Sequence, residues 1–368
     1  MSVETQGGAR GAGFRDACES RAVAEVLAEL RRDRPFYLAT AAYLAAAVAL
    51  AVVLGKADHL VIFSYLAIWI RSAIVLGVLV VVVLDLPGSI AASPASPLTQ
   101  LVSRMRNRIT PRLVAGALLF SSMALFYGAF TTVKSLLPSL VPFAWDVRLA
   151  GLDAWLHGGH DPWRLLQPLL GHNLVTRVFQ VLYLPGWTLS LFAFTGLVAV
   201  SRRLAAVRAQ FFWTYLLLWP LLGNLVAGAV MTAGPVYYGL VTGDEGRFED
   251  LMAYLSFSQG LPLSSFDVQR DLWAAYTHGL STMGSGISAF PSMHVAMATL
   301  FALVARRMHP RLAIAFAGFA LLILAGSVHL GWHYAVDGYA SALVTLGVWH
   351  GVGFCLRRAT VAAEVASV

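Results

Sequence analysis

Eight stretches of mostly apolar residues recur along the chain, at 36–55, 61–84, 113–132, 178–200, 211–232, 291–307, 312–330 and 334–356. Each approaches the roughly 20 residues a helix needs to cross the hydrocarbon core. The pattern predicts an all-α, polytopic membrane helical bundle of eight spans. Arg71 interrupts the second stretch, and a very short turn near Gly331 separates the last two. A charged segment without a small-residue cleavage site precedes the first stretch, which therefore reads as a span and not as a removable signal peptide.

Between the spans, three segments have a one-sided pattern. Residues 14–34 place Val23, Val26, Leu27 and Leu30 on one face among Arg and Glu, and residues 98–112 alternate Leu98, Leu101, Val102, Met105 and Ile109 with arginines. Both are expected to be interfacial helices on the membrane surface. Trp145, Leu149, Leu152 and Trp155, at helical spacing within 133–177, predict a third. The segment 233–290 is too long for a plain connector.

Composition agrees with the pattern. With 58% hydrophobic residues and 12% charged, at a mean hydropathy of +0.70, the chain is excluded from the soluble enzymes, the disordered proteins and the disulfide scaffolds. The net charge of +7 does not indicate nucleic acid, because the 26 basic residues cluster between spans. Eighteen of them fall on the N-terminal side of the membrane and seven on the other (Arg71 lies within a span), which predicts both termini in the cytoplasm of a plasma-membrane protein. Cys18 and Cys355 form neither a disulfide framework nor a zinc pattern.

Candidate chemistry sits near the C-terminus, in Phe290-Pro291-Ser292-Met293-His294 and in the run from Gly326 to Gly338. Topology brings both to the exoplasmic ends of adjacent helices. Pro291 suits the first position of a helix. The free amides that follow it, with Ser292 and Met293 foremost, and the Ser292 hydroxyl make a seat for phosphate. His294 lies one turn in, where it can give a proton to a departing oxygen. His333 and Asp337 are four apart and share a helix face, so the carboxylate can hold one ring nitrogen and leave the other as nucleophile.

These residues resemble the motifs of the type 2 phosphatidic acid phosphatase superfamily, Pro-Ser-x-His followed by His-x-x-x-Asp. The resemblance implies a six-helix core within 113–358, preceded by a cytoplasmic segment (1–35) and two spans with a basic interfacial helix (36–112), and followed by a tail (359–368). It implies His333 as the nucleophile that forms a phosphohistidine, His294 as acid and then base, and Asp337 as the group that orients His333. Ala233–Gly239 occupies the place of the first family motif. There the family has Lys-x6-Arg-Pro, whereas the basic positions here hold Ala227 and Gly234; the arginine of the third motif is Ser327. A phosphodiester, with one negative charge less than a monoester, needs fewer cations. The expectation is therefore transfer of a phospho-headgroup, phosphoinositol foremost, from a phospholipid to a lipid alcohol, similar to the inositol phosphorylceramide synthase branch. No cofactor or metal is required, and the partners are lipids and the membrane.

Other readings stand beside this one: a lipid phosphate or diphosphate phosphatase, a metal-dependent hydrolase using His329, His333 and Asp337, and a transporter. His329 and His350 also read as packing residues, and Ser292 as a helix cap. Arg71 reads as snorkelling, Lys134 as an interfacial anchor more than a phosphate ligand, and Tyr237 and Tyr238 as interface tyrosines or headgroup contacts.

Overall fold

The computed structural model describes residues 6–366, with side-chain environments for 20–365. Residues 1–5 and 367–368 of the expected terminal segments, and the side chain of Cys18, lie outside that description. The described residues fold into helices joined by turns and loops, without a strand. Its main elements are α1 (Gln6–Val53), α2 (Leu66–Ala92), α3 (Pro97–Arg108), α4 (Pro111–Leu140), α5 (Asp146–Leu156), α6 (Pro162–Leu170), α7 (Asn173–Val200), α8 (Ala205–Ala229), α9 (Ser265–Thr277), α10 (Met293–Met308), α11 (Pro310–His329) and α12 (Ala335–Ala366).

Among the described residues seven helices, not eight, are long and apolar enough to cross a membrane. The sixth expected span is α10, which has 16 residues and a length of about 24 Å at 1.5 Å per residue. It packs against α7, α8, α11 and α12 and is buried along most of its length, so its neighbours cover it and it need not span lipid alone. Ala296, Ala298 and Ala305 are fully buried on it. Small residues let helices approach where no water drives them together.

The expected surface helix at 14–34 is not a separate element. It continues into the first span as one 48-residue helix with Pro35 inside. Buried Asp33 makes a two-pronged ion pair with Arg208 of α8, which also donates to the Ala199 carbonyl at 3.2 Å. This tie fixes the helix beside its proline. The basic helix α3 forms where expected, and its Arg108 grips buried Asp85 with two bonds of 2.7 Å.

Local signals start and stop the helices as the residues dictate. The Thr110 hydroxyl accepts from the Leu113 amide at 3.2 Å, with Pro111 at the first helical position. The helix α11 begins at Pro310 and ends at His329; Gly331, at φ +73°, makes the turn into α12. A widened π-turn spans Leu182–Gly186 around Pro185 in α7. It lies beside the site described next.

Candidate active site

The two motif segments meet at their helix starts. The Ser292 amide donates to the Asp337 carbonyl at 3.4 Å, joining the head of α10 to the first turn of α12. Asp337 is fully buried, and its Oδ2 accepts from His333 Nδ1 at 3.2 Å and from the Tyr334 amide at 3.1 Å. With Nδ1–H so engaged, the lone pair of the His333 ring resides on Nε2. The amides of Trp332 and His333 both donate to the Ser327 carbonyl, at 2.9 and 3.1 Å, which closes the turn that carries His333.

His294 reaches the same place from α10. Its ring stacks on Tyr183 at 4.3 Å between centroids and lies 4.2 Å from that of Trp187, while the Trp187 indole donates to the His294 carbonyl at 3.0 Å. Tyr183 and Trp187 are four apart across the π-turn of α7. Tyr183 also stacks with Trp332 at 6.2 Å, so one tyrosine ring bridges the two motifs.

Pro291 is not the first helical residue, as the sequence suggests. It follows a cis peptide bond, and the helix opens at Met293 with Ser292 at its N-cap. The Phe290 amide is held by the Thr232 hydroxyl at 2.9 Å, which fixes the chain in non-helical form just before that point. The Ser292 side chain makes no cap bond; it is fully buried, and its Oγ has no partner. The first-turn amides of Met293, His294 and Val295 have no carbonyl a turn earlier to bond. Near them, Asp337 Oδ1, Tyr183 Oη and Trp332 Nε1 are likewise buried and unpartnered. Unpaired buried polar groups are costly, and a bound ligand able to take several of them at once offsets that cost.

Two residues that sequence reasoning missed hold this arrangement. Asp146 of α5 accepts from the amides of Ala233 and Gly234, both at 2.9 Å, and from the Tyr334 hydroxyl at 2.9 Å. Asp153 accepts from the amides of Ala335 and Val336, at 2.9 and 3.1 Å, capping α12 from outside. Burial pushes both carboxyls above the ordinary range, against the donors that pull them back. Their separation of seven residues puts both on one helix face, and that was the available signal. The helix α5, expected as an interfacial tryptophan helix, thus also clamps the turn that carries His333. Gly234, in the place of a family arginine, sits at φ +96° where a Cβ would lie 2.8 Å from the Trp332 carbonyl oxygen; Ala227 is buried in α8.

The remaining candidates lie elsewhere. His329 bonds Thr176 Oγ1 at 2.8 Å and faces Phe179 and Tyr254, so it is turned to packing and not toward a metal shared with His333 and Asp337. No group of three or more His, Cys, Asp or Glu among the described residues has the arrangement to hold a metal ion. Arg71 is exposed on α2. Tyr237 donates to the Gln269 carbonyl at 2.7 Å and stacks on Trp273, a structural role.

A groove of about 420 Å³, open along one side, reaches His294. Ile68 and Ser72 of α2, Leu184, Pro185, Thr188, Leu189 and Phe192 of α7, and Leu263 line the rest of it. Its surface is predominantly apolar, and α2 is barely covered by the rest of the protein.

No curated protein and no solved structure matches the chain. A family profile described as PAP2 superfamily matches residues 147–350, more than half the chain, from the clamp helix α5 through both histidine motifs. The chain therefore belongs to the PAP2 superfamily, among membrane enzymes of the phosphatase and phosphotransferase kind.

Proposed function

We propose that the protein is a phosphotransferase that moves a phospho-headgroup, phosphoinositol foremost, from a phospholipid to a lipid alcohol. In this reading 113–358 is the catalytic domain, and the site faces the exoplasmic side of a plasma membrane. What carries it is the pairing of His333 Nδ1 with Asp337 Oδ2 at 3.2 Å beside a second imidazole in aromatic contact. His333 Nε2 attacks phosphorus and the bond to the diacylglycerol oxygen breaks. That oxygen leaves with a proton from His294. The neutral His294 then takes the proton of the acceptor hydroxyl, whose oxygen attacks phosphorus and breaks the phosphorus–nitrogen bond. Atoms and charges return to their starting state.

Three further observations support transfer between lipids. The cations that grip a dianionic monoester in relatives of this pattern are replaced by Ala227, Gly234 and Ser327. The groove that ends at His294 has the apolar walls an acyl chain requires. The excess of arginines between alternate spans supports an exoplasmic position for these helix starts.

The test uses purified full-length protein with headgroup-labelled phosphatidylinositol and an acceptor lipid. Labelled product should form, and His333→Ala should reduce its rate by roughly 10³-fold or more, as loss of a nucleophile does. An acid-labile phosphoprotein should be trapped from the wild type and absent from H333A. Full activity in H333A, or release of free phosphate from monoesters without any diester turnover, overturns the reading.

A further inference from the structure

A phosphate seat built only from amides and hydroxyls lacks a charge to balance its ligand, and the three basic positions of the family pattern are empty of charge here. Lys134, half-buried on α4, has the location to supply it. Its ammonium makes no hydrogen bond or ion pair among the described residues and lies over the Phe130 ring, 6.0 Å from the centroid. Phe130 and Met293 both border Gly223, which ties this corner of α4 to the head of α10.

The chain packs around the lysine stem. Gly286, at φ +96°, passes so close that a Cβ there would lie 2.8 Å from Lys134 Cγ. The loop that leads into Pro291 thus runs directly over Lys134. Lys134 is half-buried, and a partly desolvated ammonium without a counter-charge gains from an anion that pairs with it. Across Phe130 and Gly223 from it, Met293 opens α10, with its first-turn amides and the fully buried, unpartnered Ser292 hydroxyl at that helix head. Cation, amides and hydroxyl together suit one oxyanion.

We propose that Lys134 is the phosphate-holding cation of this site, replacing from α4 the basic residues absent at 227, 234 and 327. The inference rests on the phosphotransfer reading and narrows it. One lysine balances the single charge of a phosphodiester and leaves a monoester dianion half compensated, so Lys134 sets the preference for diesters.

The experiment measures binding of orthovanadate to purified full-length protein in detergent, by ligand-induced thermal stabilisation, for wild type, K134M, K134Q and K134R. Removing the charge should weaken binding about 10- to 100-fold, the worth of one charge-assisted hydrogen bond. K134R keeps the positive charge and should bind tighter than K134Q by about tenfold or more, and K134Q paired with K134R decides the matter should K134M not fold. In competition, a short-chain phosphatidylglycerol should displace orthovanadate at lower concentration than inorganic phosphate does. Wild-type affinity in K134M or K134Q overturns the role of Lys134 while leaving the histidine mechanism intact. Stronger competition by inorganic phosphate overturns the diester preference. A wild type that binds no orthovanadate overturns the phosphotransfer reading and this assignment with it.

Discussion

One oxygen of Asp337 serves two donors and the other serves none. The bonded oxygen is the one that fixes the tautomer of His333, so Asp337→Asn, which keeps shape and loses the anion, should lower kcat by on the order of 10²–10⁴-fold. KM for the lipid donor should move little, and steady-state kinetics of both constants check it. An equal fall in binding with unchanged kcat would show that Asp337 serves the substrate directly. At this scale the sequence was informative where chemistry is local. Four-residue spacing already puts His333 and Asp337 on one face. Tyr183 and Trp187 were silent, because their contacts with His294 cross more than a hundred residues and an aromatic in an apolar helix looks the same whether it packs on lipid or on an imidazole. Lys134 was visible as an isolated charge, but its enclosure by the loop at Gly286 belongs to the folded chain alone.

Among elements, α5 bears most on the site for its size. Its eleven residues bring Asp146 and Asp153 under the turn that carries His333. Asp153→Ala removes the acceptor for two amides at the head of α12 and should cost about 0.5–2 kcal/mol as a lost cap. The loss is expected as a lower midpoint in a thermal melt in detergent, with a fall in activity because the His333 turn loosens. Asp153→Asn, which retains one acceptor oxygen, should recover part of both. The spans and most of their limits were legible because uniform apolarity over 20 residues has one meaning in a chain this hydrophobic. Two elements were not. Pro35 and the charges around it suggest a break, yet the pairing of Asp33 with Arg208 carries α1 through. α10 reads as a span by composition, although a helix wrapped by four others needs no full membrane length.

Across the whole molecule, the histidines lie where a polar cluster of helix starts meets an apolar groove. Ser72, on the α2 wall of that groove, tests the connection. Ser72→Trp fills part of the channel and should raise KM for a long-chain lipid donor by roughly tenfold, the effect of losing a few buried methylenes. Orthovanadate binding at the polar end should stay as in wild type. An unchanged KM would mean that the chain enters by another path.

The open flank of the groove has a kinetic consequence. An enzyme fed sideways from a bilayer encounters its donor by diffusion in two dimensions, so the quantity that sets its rate is molecules per unit area and not molar concentration. Diluting the donor with inert detergent at fixed total donor should therefore slow turnover in proportion to its mole fraction in the micelle. Adding water to the same mixed micelles should leave the rate per enzyme molecule unchanged.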